Sequence, residues 1–260
     1  YMLPRLSRKT RLDLTEKNIF DLKDIPKGYA LSDIQKNVLL SANLNKPLIN
    51  KKDILNLLHT YEYPIHFFDY ETYGSAIPFV DGISPHKQFP IQYSLHILYK
   101  DGSLIHKEFL QNTARLPYNL VEKMELDFEE SGSIVTWHAS FEKKQNKEMQ
   151  KWFPDKLAFL LHIDDRILDL EDFFKKAYVD GDFNGSTSIK KVLPVLCPNE
   201  NGYDNLLINN GSAAMEGWER MIDNERSGEP KKIAKDLLDY CKMDSLAMVL
   251  IYKFLKSLSV

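Results

Sequence analysis

From Tyr63 onward the apolar and aromatic residues fall in runs that predict strands. Ile65-His66-Phe67-Phe68-Asp69-Tyr70-Glu71 is dense in branched and aromatic side chains. A second run, Phe89 to Tyr99, meets the turn sequence Lys100-Asp101-Gly102-Ser103 and returns from Leu104 to Leu110, which predicts a hairpin. The period then lengthens. A helix is predicted over about Leu116 to Glu129, ended by Ser131-Gly132, then a strand over Ser133 to Trp137 and a helix from about Phe141 to Trp152. Helical stretches near residues 155–162 and 169–178, and a long last helix from about Ile233 to Leu258, complete the outline. Antiparallel strands followed by strands alternating with helices predict an α/β domain over residues 59–260. Ahead of it, Ser32-Asp33 before Ile34, Val38 and Leu39, and Lys52-Asp53 before Ile54, Leu57 and Leu58, predict a helical lead-in over residues 1–58.

Composition changes this picture little. With 260 residues, 43% of them hydrophobic, the chain can bury a core. The balance of 34 Lys+Arg against 37 Asp+Glu excludes a broadly basic surface that would hold nucleic acid by charge alone. The lead-in differs, with eleven Lys+Arg against six Asp+Glu. A basic helical face is ordinarily only solvated, so the default for it is an extension packed on the main domain. No apolar run approaches the roughly 18 residues of a membrane span, and no secretion signal is seen. Cys197 and Cys241 lie far apart without zinc-motif spacing, which suits a reducing cytoplasm. The opening Tyr1-Met2 suggests that the chain is a fragment of a longer protein.

The acids carry the chemistry. Asp69 and Glu71 are two apart on a strand, so their side chains leave one face together with Ile65 and Phe67. Alone, such a pair is most often a solvent-facing strand end. On the last helix, Leu237, Asp244, Met248, Ile251 and Leu255 form one stripe, which puts Asp244 on the buried face, with Tyr240 one turn before it. The bland alternative there is a buried Tyr–Asp hydrogen bond. Glu142 begins a helix whose inward face holds Met149 and Phe153; by itself it reads as a first-turn acid complementing the helix dipole. Together, the three places stand in an order that gathers four carboxylates. Such a gathering serves two divalent cations, and oxygen donors suit Mg²⁺ or Mn²⁺.

Phe68-Asp69-Tyr70-Glu71-Thr72, Trp137-His138-Ala139-Ser140-Phe141-Glu142 and Tyr240-Cys241-Lys242-Met243-Asp244 resemble the three motifs of the DEDD 3′–5′ exonucleases, which have a ribonuclease H-like fold. The tyrosine form is matched, because the histidine form needs His where Asp239 stands. With Gly185-Ser186-Thr187-Ser188-Ile189-Lys190-Lys191-Val192-Leu193-Pro194, and with Tyr240-Cys241-Lys242-Met243-Asp244 continuing through Ser245-Leu246-Ala247-Met248, the chain is more closely similar to domain-of-unknown-function family 2779 over about residues 63–255. The resemblance implies a ribonuclease H-like mixed sheet flanked by helices. It implies Asp69, Glu71, Glu142 and Asp244 as ligands of two divalent cations, Mg²⁺ or Mn²⁺, and Tyr240 as the residue that orients or deprotonates the attacking water. The substrate it implies is a single-stranded DNA or RNA end, and in such proteins a RecB/Cas4-like nuclease region often precedes the domain. One departure stands out: the superfamily normally has Asp where Glu142 stands, and often Asn where His138 stands.

Other residues are secondary candidates. Lys190 and Lys191, after a flexible turn, are candidate phosphate contacts, although surface lysines are the default. Thr72, beside Glu71, is a candidate substrate contact. Asp169 is read first as a helix N-cap and second as a contact of the site. His66 falls on the strand face opposite the acids, His138 is read as structural, and Cys241 as a small hydrophobe. A metal-dependent 3′–5′ exonuclease is therefore expected. Its rivals are a catalytically silent ribonuclease H-like module that binds nucleic acid or a partner, and a small-molecule phosphodiesterase.

Overall fold

A computed structural model describes residues 3–200, 202–223 and 229–258; Tyr1 and Met2, on which the expectation of a longer parent rests, lie outside them. In chain order the elements are α1 (Arg8–Glu16), α2 (Asp33–Leu44), β1 (Leu48–Ile49), α3 (Lys51–Leu58), β2 (Ile65–Tyr73), β3 (Phe89–Leu98) and β4 (Leu104–Leu110). There follow α4 (Tyr118–Asp127), β5 (Ile134–Thr136), α5 (Ser140–Trp152), α6 (Leu157–Arg166), β6 (Ile167–Asp169), α7 (Asp172–Lys176) and β7 (Tyr178–Val179). Helices α8 (Ile189–Leu196), α9 (Gly211–Ile222) and α10 (Pro230–Ser257) close the chain.

The chain forms two compact units. The first gathers Tyr1–Thr60, Glu171–Glu200 and Lys253–Val260; the second, Tyr61–Leu170 and Asn201–Tyr252. In the first, β1 and β7 pair antiparallel, and Leu14, Leu22, Ile25 and Val38 build a core closed by Val179. Capping explains its helix starts: Ser32 and Gln35 form a reciprocal capping box at α2, and Asn50 accepts from the Asp53 amide at α3.

The second unit holds a five-stranded sheet in the order β4-β3-β2-β5-β6. The first three strands run antiparallel, and β5 and β6 pair parallel to β2 and to each other. This is the mixed, helix-flanked sheet of the ribonuclease H-like class. Its central strands are buried on both faces, which is why β2 and β3 read as nearly continuous apolar runs. One face packs Phe68, Tyr70, Tyr93 and Leu95 against Leu120, Met124 and Met149 of α4 and α5.

Three expectations are corrected. The helix near 169–178 is shortened to α7, Asp172–Lys176, flanked by the end of β6 and by β7, because the Leu170 amide donates to the Thr136 carbonyl and carries the strand pairing past Asp169. Helix α1 falls within the expected helical lead-in, whereas α8 and α9 were not expected. Gly132 does not end α4, which stops at Asp127; it lets the chain turn into β5 at φ +87°, where a Cβ would lie 2.0 Å from the Pro64 carbonyl oxygen.

Candidate active site

Strand β2 sorts its side chains by alternation. Phe68 and Tyr70 enter the core with α4 and α5, where the Tyr70 hydroxyl donates to Asn146 Oδ1 at 2.9 Å. The odd-numbered residues face α10: the Phe67 ring lies 5.5 Å from that of Tyr252, and Cys241 Sγ lies 3.9 Å from Asp69 Oδ2. Across the ladder Asp69 pairs with Ser94 and Glu71 with Gln92, and the register shifts between Glu71 and Thr72. That irregularity falls where the acidic pair ends.

Asp69, Glu71 and Cys241 come together, each offering a donor atom within 4.8 Å of the others. Cys241 and Glu71 are buried, and Asp69 is half-buried. The predicted stripe of α10 is buried throughout, Asp244 included. The hydroxyl donating to Asp244 Oδ1, at 2.5 Å, belongs to Tyr203, in the loop before α9. Burial raises the Tyr240 phenol well above its ordinary pKa, with Asp244, Glu71 and Asp69 adding to it. The Cys241 thiol is raised by burial and by the same three acids. One turn of α10 therefore feels all three carboxylates. Crowded carboxylates in a poorly hydrated place call for a cation or for protons. A divalent cation fits the donor set.

Glu142 is placed differently. It is 1% exposed at the start of α5, and Met149 and Phe153 are buried along the same helix, as expected. It is not part of the Asp69–Glu71–Cys241 group. Burial pushes its carboxyl up to about 8; Asp169 adds to this, while its own backbone amide and the Thr136 hydroxyl work the other way. Glu142 Oε2 and Gln145 Oε1 are both buried without a hydrogen-bond partner. These orphaned oxygens suit a cation, or a proton in its absence.

The secondary candidates separate. Asp169 is not an N-cap: it lies in β6, pairs with Thr136 across the parallel ladder, and accepts from the His138 amide at 3.0 Å, holding His138 at φ +69°. Thr72 is buried in β2. Lys190, half-buried, and Lys191, exposed, lie on α8 in the first unit. His66 stacks on Phe128, on the face away from the acids. The sequence reading did not single out Tyr203 or Gln92, and it took Cys241 for core packing. Only Cys241 carried a signal, by standing between Tyr240 and Asp244.

Beside the acids, the sheet face under α10 holds a polar network. Ser245 Oγ lies 2.6 Å from Ser94 Oγ and 2.8 Å from His96 Nδ1, and Ser94 Oγ lies 2.9 Å from His106 Nε2. The His96 and His106 rings stack at 4.4 Å. Burial lowers His96 to about 3 and His106 to about 4. Both therefore stay neutral in the folded protein at pH values where the unfolded chain is protonated. The unfolded state then binds more protons, and stability is lost as pH falls from about 6.5 toward 4. Taken alone, the pair sets a difference of about 2–4 kcal/mol in folding free energy between pH 7 and pH 5, opposite in sign to that of the buried Glu142 carboxyl and read by denaturant unfolding of parent against variant. His96→Gln should remove part of that difference.

Among the described residues no helix is long and apolar enough to cross a membrane. No solved structure gives a significant match. The chain is 27% identical over 218 residues to the uncharacterized protein MG366 of Mycoplasma genitalium, covering 74% of this chain and 32% of that protein. It is 28% identical over 221 residues to the uncharacterized protein UU173 of Ureaplasma parvum, covering 74% and 31%. The matched part thus spans about a third of these relatives. Residues 66–188, which include Asp69, Glu71 and Glu142, match the model of a family described as Domain of unknown function (DUF2779).

Proposed function

We propose that this chain is a metal-dependent nuclease of the tyrosine-type DEDD class, hydrolysing phosphodiester bonds from the 3′ end of single-stranded DNA or RNA. The observation that carries the reading is the meeting of Asp69 and Glu71 of β2 with the α10 turn that bears Tyr240, Cys241 and Asp244. Asp69, Glu71 and Asp244 would hold divalent cations, with Glu142 a further carboxylate at the head of α5. Bound there, Mg²⁺ or Mn²⁺ supplies charge stabilisation at the phosphate and lowers the pKa of water. The protein's own groups do the rest. Asp69, half-buried, leaves the acidic pair open to solvent on one side. Tyr203 fixes the Asp244 carboxylate through its 2.5 Å hydrogen bond. Tyr240, its phenol raised by burial and by the acids, would orient a water molecule as a hydrogen-bond donor.

The test is incubation of 5′-labelled single-stranded DNA and RNA with the chain and Mg²⁺ or Mn²⁺. Products shortened stepwise from the 3′ end, and abolished by EDTA, are expected. Intact substrate with both metals and a folded protein overturns the reading. A second reading, a silent nucleic-acid- or partner-binding module, is favoured by one observation: Glu142, in place of the usual Asp, has its described neighbours in Thr136 and Asp169.

A further inference from the structure

We propose that Cys241 is a metal ligand, making the Asp69–Glu71 pocket a mixed oxygen–sulfur site that prefers borderline cations such as Zn²⁺ or Co²⁺ to Mg²⁺. The inference rests on the metal-binding half of the function proposed above and names the class of cation. Its first support is geometric. Cys241 Sγ stands 3.9 Å from Asp69 Oδ2, and both lie within 4.8 Å of a Glu71 oxygen. Two ligands on one tetrahedral cation, with metal–sulfur about 2.3 Å and metal–oxygen about 2.1 Å, stand about 3.6 Å apart. A shift of a few tenths of an ångström therefore brings the two donors onto one ion.

The second support is independent of the acids. Gln92, opposite Glu71 on β3 and fully buried, donates its Nε2 to the Leu237 carbonyl of α10 at 2.9 Å. That carbonyl only accepts, so the orientation of the amide is fixed and its oxygen stays outward from the bond. Gln92 Oε1 has no hydrogen-bond partner. Leu237 is one helical turn before Cys241, so the orphaned acceptor lies on the sheet face of the acids, beside the turn that carries the thiol. A hydrated cation brings the donor hydrogens that this oxygen lacks.

Binding breaks the S–H bond, forms the sulfur–metal bond and releases the proton to solvent, with no change of oxidation state. Thiolate ligation favours softer ions, in keeping with ligand softness.

The experiment is titration of the full chain with Co²⁺ alone, followed by ultraviolet–visible absorption and calorimetry. A sulfur-to-cobalt charge-transfer band is expected to grow with metal binding. It should persist in Cys197→Ser and vanish in Cys241→Ser, which should bind Co²⁺ at least about tenfold more weakly with Mn²⁺ affinity little changed. If Cys241→Ser does not fold, the band in Cys197→Ser still assigns the ligand, since the chain has two cysteines. Calorimetric binding of Co²⁺ without the band, or a band that survives in Cys241→Ser, overturns this inference and leaves the nuclease reading standing. A band in a protein that cleaves nothing overturns the nuclease reading and supports the site. No binding of Co²⁺ overturns both.

Discussion

Asp69→Asn is expected to lower metal-dependent cleavage about a thousandfold, equivalent to about 4 kcal/mol of transition-state stabilisation. Asp69 is the half-buried member of the trio, the acid best placed to meet both a cation and an incoming phosphate. Asparagine keeps its size and one oxygen but loses the charge that a divalent cation requires. The same change should stabilise the metal-free protein, because it removes one of three acids crowding the Tyr240–Cys241 turn. A melting temperature in EDTA equal to or above that of the parent, together with lost activity, separates ligand removal from misfolding. Asp244→Asn should behave alike in activity, while Tyr203 retains an oxygen to donate to. Asp239→Asn is the control: this half-buried acid on the same helix pairs with Lys235 at 2.6 Å and should leave cleavage unchanged. Undiminished activity in Asp69→Asn removes the pocket from the mechanism.

Much of that pocket was legible in the sequence because its carriers are strongly periodic elements. Strand alternation put Asp69 and Glu71 on one face, and helical periodicity put Asp244 in a buried stripe. Both signals are local, and packing does not override them where one face is wholly buried. The hairpin of β3 and β4 was legible for the same reason, through its Asp101-Gly102 turn. What escaped depends on residues far apart in the chain. Tyr203 sits in an irregular loop 41 positions before the acid it binds, and no period marks it. Gln92 reads as one more residue of a buried strand until its neighbour across the ladder is known to be Glu71. Asp169 resembles an N-cap because an acid precedes a helical stretch, yet the parallel ladder to Thr136 gives its carboxylate to His138. The first unit joins residues 1–60 with 171–200 and the last turns of α10, and Val179 closes the Leu14–Val38 core from far along the chain, a contact that no boundary signal marks.

Glu142→Gln is expected to stabilise the metal-free protein, and increasingly so as pH rises. The carboxyl titrates near 8 in the folded protein against 4.5 ordinarily, because its buried position disfavours the charge and Asp169 reinforces this. Between these values the folded state holds a proton that the unfolded state has released. The unfolded chain binds fewer protons, so the unfolding free energy falls as pH rises through the window. At about 1.4 kcal/mol per pH unit, this one group costs the parent about 4 kcal/mol between pH 4.5 and pH 8, a loss isolated by comparison with the variant. The amide cannot ionise and should not lose it. In EDTA, urea midpoints of parent and variant should therefore nearly coincide at pH 5 and separate by about 4 kcal/mol at pH 8. Manganese then distinguishes the two functional readings. If Glu142 is a ligand, Mn²⁺ at pH 8 displaces its proton and restores the parent's stability while doing far less for the variant. Equal stabilisation of both by Mn²⁺ places the cation on Asp69, Glu71 and the α10 turn alone. Glu142 is then a buried neutral acid beside Thr136, and a one-cation site of that kind favours the silent module over a two-cation nuclease.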